Sequence, residues 1–394
     1  MRRLLVTAVV LAGVLAGCGD GDRAASDGPQ TRKVLVDYSF DEFPASYYGY
    51  YPRVVEAHPG DTIDFRQSWT GDPHTVTLGT LAQKLLPQMG PLLKTPKEEL
   101  PEFVDTEALG LPSIFSHITG DNTINQTAAQ PCYIASGDLP LDGVGCPKQQ
   151  PEFDGTQAFY NSGYIPYRGV RGNRFAVKLA STIEPGEYFY YCLLHGPGMG
   201  GFIDVKPRTE KVRTFPADMR DRDLKATTGV LRAALELSKK PSARLPGTDI
   251  QAGTFSHYAT GGSPYPASVN AFEPETFRAS VGEKVTWSFT NGPGHTVSFD
   301  VPPYFPVIEF KSTGVVRLNP DALSAVGGEG YPSDAEEAPE EGFAVDGGSY
   351  DGEGFRSSGY NDGPMRYSLT FTKPGTYPYA CTIHPRMIGK VVVS

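Results

Sequence analysis

The stretch "PGTYPYACTIHPRMIGKVVV", residues 374–393, brings a thiol, an imidazole and a thioether close together at Cys381, His384 and Met387. An earlier stretch, "PGEYFYYCLLHGPGMGGFIDV" at 185–205, does the same with Cys192, His195 and Met199. The chain has only five cysteines and six methionines. Because these three side chains are soft or borderline metal ligands, their recurrence at close spacing indicates two related sites.

The rest of the chain repeats in the same order. Three further pairs of blocks align: "VEAHPGDTIDF" (55–65) with "FRASVGEKVTW" (277–287), "GDPHTVTL" (71–78) with "GPGHTVSF" (292–299), and "AFYNSGY" (158–164) with "GFRSSGY" (354–360). The first pair places Phe65 opposite Trp287, and the second places His74 opposite His295. Four blocks in one order predict a duplicated domain.

The repeated blocks have the pattern of β-strands. "DTIDF" and "EKVTW" alternate apolar and polar residues, as half-buried strands do. The content of 45 Gly, 35 Pro, 21 Tyr and 21 Phe favours turns and aromatic strands over helical bundles. We therefore predict an all-β protein of two antiparallel Greek-key sandwiches. Long insertions separate the first histidine of each copy from its cysteine, and short helices such as "LAQKLLP" (81–87) are expected in them.

The N-terminus is typical of an export signal. Arg2 and Arg3 precede a short apolar run, too short to span a bilayer, that ends in "LAGC" at Cys18. This ending resembles the bacterial lipobox, which implies lipidation of Cys18, although an ordinary signal peptide cleaved near Ala16 is the alternative. The predicted segments are a signal peptide at 1–17, a flexible tether at 18–32, a first domain at 33–207, a helical linker at 208–247 and a second domain at 248–394.

Charge and cysteine usage agree with an exported protein. The formal charge is −10, and removal of Arg2 and Arg3 with residues 1–17 leaves 45 acids against 33 bases, or −12. An acidic surface disfavours nucleic-acid binding. Cys132 and Cys146 flank a loop rich in Gly and Pro, and we predict that they form a disulfide in an oxidising compartment.

Two imidazoles and a thiolate with a weak axial thioether form the blue-copper arrangement. The first motif supplies Cys192, His195 and Met199, and the strand block "HTV" supplies His74. The second set is His295, Cys381, His384 and Met387. Zinc also accepts Cys and His, but it rarely uses a thioether, so copper is the favoured ion at each site.

These motifs resemble those of the cupredoxin family. The Cys381 loop is similar to the ligand loop of amicyanins, and the Cys192 loop resembles the plastocyanin loop but is one residue shorter. The resemblance implies one type 1 copper in each domain and an exposed edge of His195 or His384 facing a redox partner. One departure stands out, because Thr75 and Thr296 occupy a position where these families commonly have Asn. That residue helps to hold the ligand loop.

The predicted function is electron transfer, outside the cytoplasm and tethered by lipid to the outer face of the bacterial cytoplasmic membrane, in the periplasm or at the cell surface. Its expected partner is a cytochrome or a membrane oxidase complex. The alternative is a copper carrier or buffer without redox turnover. An oxidase or reductase is disfavoured, because the sequence has no His-x-His pair for a catalytic copper centre.

Overall fold

The computed structural model describes residues 28–38, 40–67, 72–87, 111, 122–129, 151–165, 174–213, 217–256, 265–290, 294–302, 307–310, 315–326, 343–361 and 363–394. Cys18, Cys132 and Cys146 lie outside these residues, so lipidation and the disulfide stay predictions. Within the described residues, no helix is long and apolar enough to cross a membrane.

Two facing sheets form the N-terminal part of the structure. Its strands are β1 (Thr31–Val36), β2 (Ala45–Tyr47), β3 (Tyr50–Tyr51), β4 (Val54–Ala57), β5 (Thr62–Gln67), β6 (Thr77–Leu78), β7 (Tyr160–Asn161), β8 (Arg174–Lys178), β9 (Gly186–Cys192) and β10 (Gly196–Val205). One sheet has the order β3-β1-β5-β8 and the other β4-β10-β9-β6-β7. Alternation along β8, where Phe175 and Val177 are buried between exposed residues, turns its apolar face into the core between the sheets.

The C-terminal part repeats this plan. Its strands are β11 (Ile250–Ser256), β12 (Ala267–Glu273), β13 (Thr276–Ala279), β14 (Lys284–Phe289), β15 (Ser298–Phe299), β16 (Ile308–Phe310), β17 (Val316–Leu318), β18 (Phe343–Tyr350), β19 (Arg356–Ser357), β20 (Met365–Phe371), β21 (Gly375–Ala380) and β22 (Ile388–Val393). The sheets are β18-β20-β14-β11-β12-β2, β13-β22-β21-β15-β19 and the small pair β16-β17.

Strand pairing shows the same repeat. Strand β5 is parallel to β1 and antiparallel to β8, and β14 is parallel to β11 and antiparallel to β20. Strands β10 and β22 each pair in parallel with a short strand, β4 or β13, and antiparallel with the preceding long strand. The prediction of an all-β fold is confirmed.

The two sandwiches share a sheet. Strand β2 comes from the N-terminal part, yet it pairs with β12 at the edge of the C-terminal six-stranded sheet. The structure also has short helices at Thr80–Gln83, Gln126–Ala129 and Pro320–Leu323, a 3-10 turn at Pro241–Ala243, and one long helix at Ala217–Ser238. This long helix falls in the segment predicted as a helical linker, and we call it the linker helix.

A mixed apolar cluster joins the linker helix to both sandwiches. Leu231 and Ala234 of the helix pack with Tyr47 from the N-terminal part and with Tyr265 and Val269 from the C-terminal part. Tyr47 also hydrogen-bonds through its hydroxyl to Thr228 Oγ1 of the helix, at 2.8 Å. The linker helix is thus part of the packed structure.

Replacing Leu231 by Ala is expected to lower the free energy of unfolding by about 2–5 kcal/mol, because the side chain is fully buried in this cluster. Leu237 lies on the same helix with 54% of its surface exposed, so Leu237→Ala is the matched control and should change stability by no more than about 0.5 kcal/mol. Urea unfolding curves measure both variants. Equal effects would show that the helix is not packed as described.

Candidate metal centres

The structure brings together the three nitrogen and sulfur donors of the first site. The ligand atoms of His74, Cys192 and His195 lie within 4.8 Å of one another. The Nδ1 atoms of the two histidines are 3.1 Å apart, and Cys192 Sγ is 3.4 Å from His195 Nδ1. All three donor atoms therefore face one small space.

The second site has the same arrangement. His295, Cys381 and His384 offer ligand atoms within 4.8 Å of one another. Their two Nδ1 atoms are 3.0 Å apart, and Cys381 Sγ is 3.7 Å from His384 Nδ1. Residues that are 121 and 89 positions apart in the sequence thus meet in each site.

Backbone pairing positions the first histidine of each site. His74 forms an isolated bridge with Ile165, and His295 forms one with Asn361. Two residues after His74, the backbone N–H of Val76 donates to the hydroxyl of Ser162 at 2.7 Å. The equivalent pair in the second site is Val297 and Ser358, at 2.9 Å. The repeated "SGY" blocks therefore anchor the two histidine strands.

The two methionines are fully buried in the same apolar clusters as the cysteines of their sites. Met199 lies in a bulge of β10, between the positions where Gly196 and Gly200 pair with β9. Met387 lies in a tighter turn, where its carbonyl accepts from Cys381 N–H at 3.0 Å. Its own N–H donates to His384 O at 3.1 Å. The difference between the two loops follows their one-residue difference in length.

A threonine hydroxyl holds each ligand loop. Thr75 Oγ1 accepts a hydrogen bond from Leu193 N–H at 2.8 Å, and Thr296 Oγ1 accepts one from Thr382 N–H at 2.8 Å. The backbone N–H of each threonine also points to the cysteine sulfur of its own site, at 3.4 Å. In each site, a single threonine hydroxyl therefore ties the strand that carries the first histidine to the residue that follows the cysteine.

The electrostatics of both sites favour thiolates. Burial is the largest influence on Cys192 and opposes its ionisation, but the charge and hydrogen bonds of His195 and His74 bring its pKa well below the usual value. Cys381 is affected in the same way: burial raises its pKa, and hydrogen bonds from His295 and His384 outweigh that effect and lower the pKa well below the usual value. A thiolate is the form that binds metal.

Two buried carboxylates bind the outer edges of the histidines, one in each site. Asp37 Oδ2 lies 2.9 Å from His74 Nε2, and both carboxylate oxygens of Asp72 lie 3.2 Å from His384 Nε2. Burial lowers the pKa of each of these histidines, but the carboxylates and the thiolates raise it to about 10. Carboxylates in this position orient a ligating imidazole and increase its basicity. Neither aspartate was predicted from the sequence.

One prediction about the histidine edges is wrong. His384 is only 1% exposed, because Asp72 of the other sandwich covers its Nε2 edge. His74 and His295 are buried as well. His195 is the one histidine of the two sites with an intermediate exposure. The histidine of the first ligand loop, His195, is therefore partly exposed, whereas that of the second, His384, is buried.

The residue of the second site that corresponds to Asp37 is a glycine, Gly253. Val34 pairs with Phe65 and Ile250 pairs with Trp287, so the position three residues further on is Asp37 in one copy and Gly253 in the other. Both residues have a left-handed backbone, with φ of 62° and 67°. A Cβ on Gly253 would meet His295 Nε2 at 2.0 Å, which leaves no room for a side chain. Among the described residues His295 Nε2 has no hydrogen-bond partner.

The donors fit a copper ion. Separations of 3.0–3.7 Å between the nitrogen and sulfur atoms suit an ion among them with bonds of about 2 Å. Two imidazoles and a thiolate, with a buried methionine in the same loop as the thiolate, match the blue-copper donor set, and zinc sites seldom include methionine. The geometry defines the class of the protein, a β-sandwich metal-binding protein.

Comparison with known proteins narrows this class. Residues 267–394 match the family of copper binding proteins described as the plastocyanin/azurin family. The matched part of the chain contains all four candidate donors of the second site, His295, Cys381, His384 and Met387. Amicyanin of Paracoccus denitrificans is 64% identical over 36 residues, which is 8% of this chain and 28% of that protein. Amicyanin-alpha of Methylorubrum extorquens is 57% identical over 37 residues, 8% of this chain and 31% of that protein.

The chain thus spans less than a third of the length of each of these two relatives. Among solved structures, a reduced Cu(I) form of an amicyanin mutant is 26% identical and covers 30% of this chain and 70% of its own, with a TM-score of 0.17. A purple cupredoxin from Nitrosopumilus maritimus is 17% identical and covers 37% of this chain and 99% of its own, with a TM-score of 0.18. Scores this low add nothing to the description of the fold.

Replacing Thr75 by Val should remove the hydroxyl that holds the first ligand loop while preserving the side chain's shape. Loss of the partner of Leu193 N–H is expected to lower the free energy of unfolding by about 1–3 kcal/mol. Denaturant unfolding of the metal-free protein measures it. Thr75→Ser keeps the hydroxyl and removes only a buried methyl group, so it should lose about 0.8 kcal/mol, less than Thr75→Val. An equal loss in both variants would mean that the hydroxyl does not hold the loop.

Copper binding at the second site should compete with protons. In the metal-free protein the pKa of His384 is raised to about 10, so its imidazole is protonated near neutral pH, whereas burial lowers the pKa of His295. Binding therefore displaces one proton, and the apparent affinity for Cu(II) should rise about tenfold per pH unit between about pH 6 and 9. Titration of the Cys192→Ala variant in buffers of different ionisation enthalpy measures this. An affinity independent of pH would contradict it.

Proposed function

We propose that the protein is an exported, lipid-tethered electron carrier that holds one type 1 copper in each sandwich. The observation that supports this most strongly is the pair of His-Cys-His clusters, each of which joins a distant histidine to a ligand loop that also carries a buried methionine. His74, Cys192, His195 and Met199 would hold the first ion, and His295, Cys381, His384 and Met387 the second. A bound copper supplies a one-electron couple between Cu(I) and Cu(II).

The protein's own residues prepare the sites for rapid electron exchange. The donor atoms of each site face one another, and the threonine hydroxyls tie the loops to the histidine strands. Rigid donors change position little between redox states, so little reorganisation accompanies each electron. Burial of both cysteines and both methionines keeps water from the sulfur donors. These features favour redox cycling over repeated release of the ion.

The tether and the histidine edge define how the carrier would meet its partners. A lipid on Cys18 and a polar segment at 18–32 would keep the sandwiches close to membrane-bound redox complexes and raise their effective concentration there. The partly exposed His195 is the proposed contact for a partner such as a cytochrome or an oxidase complex. A copper carrier would need a donor open to an acceptor protein at each site, and His384 is covered.

Loading the protein with Cu(II) should give two coppers per chain and an intense visible band from each cysteine-to-copper bond. Cys192→Ala and Cys381→Ala should each remove one band and one copper and leave the other, because each removes one thiolate. Metal analysis with optical and EPR spectroscopy measures this. Matched controls are Ser162→Ala and Ser358→Ala, which remove the hydroxyl that anchors the histidine strand of each site without removing a ligand.

A colourless protein without stoichiometric copper would contradict the proposal. Transfer of the bound copper to a metal-free acceptor, with no electron exchange with a cytochrome, would support the carrier function instead. Catalytic turnover of a substrate, or more than two coppers per chain, would indicate an oxidase or reductase.

A further inference from the structure

A carboxylate lies between the two candidate metal centres. Asp72 belongs to the N-terminal sandwich, two residues before His74, and it is 5% exposed. Its two oxygens are both 3.2 Å from Nε2 of His384, a residue of the C-terminal sandwich. A side chain from beside one site thus holds the outer edge of a histidine in the other.

Asp72 is itself fixed by further hydrogen bonds. Ser46 Oγ donates to Asp72 Oδ2 at 2.6 Å, and Tyr48 O–H donates to the same oxygen at 3.3 Å. Asn270 of β12 in turn donates to Ser46 Oγ at 2.8 Å. Ser46 lies on β2, the strand that enters the C-terminal sheet. The contact between Asp72 and His384 is therefore supported by the shared sheet.

The contacts continue to the first site. Tyr48, which holds Asp72 with its hydroxyl, packs its ring against the ring of His195 with 4.7 Å between the centroids. His384, Asp72, Tyr48 and His195 thus form an unbroken series of contacts, with Tyr48 and His384 each only 1% exposed. Electron tunnelling falls steeply with distance and across gaps, so close packing of this kind favours exchange between the sites.

None of the four candidate donors of the second site is exposed. His295 is 1% exposed and its Nε2 edge lies against Gly253. Cys381 is 7% exposed and Met387 is fully buried. In the repeat, Asp72 aligns with Pro293, so the bridging carboxylate belongs to one copy only. The first site keeps a partly exposed histidine, and the second site is linked to it through Asp72 and Tyr48.

We propose that the two sites form an internal redox pair, in which the second site exchanges electrons with the surroundings through the first, and in which Asp72 positions His384 for that exchange. This inference rests on the proposed function. One electron passes in each event: the first site is oxidised from Cu(I) to Cu(II) as the second is reduced from Cu(II) to Cu(I). No proton or other group is transferred. An external one-electron donor reduces the first site again.

Single-site variants test the direction of entry. Both oxidised variants are mixed with hexaammineruthenium(II), a water-soluble outer-sphere one-electron donor, and the bleaching of the visible band is followed by stopped flow. The second site, present alone in Cys192→Ala, should be reduced at least about tenfold more slowly than the first site in Cys381→Ala and more slowly than in the unchanged protein. Equal rates in all three proteins would overturn the inference.

Asp72→Asn tests the positioning role. The amide keeps the shape of the side chain but loses the charge that holds His384, so the rate of exchange between the sites, followed after a radiolytic pulse, should fall about tenfold. Asp64→Asn is the matched control. Asp64, on β5, is a fully buried carboxylate that pairs with Arg66 and Arg174. It should leave the rate unchanged.

The outcomes separate this inference from the proposed function. Unchanged exchange in Asp72→Asn, with both bands retained, would overturn the positioning role. Loss of both bands in every variant and in the unchanged protein would instead overturn the proposed function. If Asp72→Asn fails to fold, Tyr48→Phe removes a hydroxyl from the same series of contacts, and an unchanged exchange rate in it would also count against the inference.

Discussion

A thiolate buried at the end of a β-sandwich requires compensating charge, and this requirement organises both sites. In each site two imidazoles surround the sulfur, and a backbone N–H from the adjacent threonine points to it. One imidazole is in turn balanced by a carboxylate, Asp37 at the first site and Asp72 at the second. The strands, the loops and the contact between the sandwiches all serve to keep these charges together without water.

The repeat gives two similar sites with different surroundings. At the first site, the carboxylate is that of Asp37, a residue with a left-handed backbone, and it binds His74. At the second, Gly253 occupies that position, and the carboxylate comes from the other sandwich and binds the histidine of the ligand loop. Hydrogen bonding to ligating histidines tunes a metal site. Copper ions bound at the two sites would therefore differ in reduction potential, as the proposed internal redox pair requires.

The sequence predicted the β-fold, the position of the linker helix and the grouping of donors, because these depend on local patterns. Alternation in "DTIDF" indicates a strand, and the spacing from Cys381 to Met387 places three donors in one loop. The bridging role of Asp72 could not be predicted, since it depends on how the sandwiches meet. The one available signal was a break in the repeat, where Asp72 stands opposite Pro293.

The burial of the His384 edge could not be predicted from the sequence for the same reason. A single-domain relative offers no second sandwich to bury that edge, so resemblance alone predicted exposure. Strand β2 shows why the two parts cannot be treated separately, because it leaves its own sheets and completes the other sandwich. The side chains beside it, Ser46 and Tyr48, then hold the carboxylate between the sites.

Anomalous diffraction at the copper absorption edge, from crystals of the copper-loaded protein, tests the central claim most directly. Two full peaks are expected, one among His74, Cys192 and His195 and one among His295, Cys381 and His384, with Asp72 against the outer edge of His384. No peak in either cluster, or peaks at the zinc edge alone, would contradict the account.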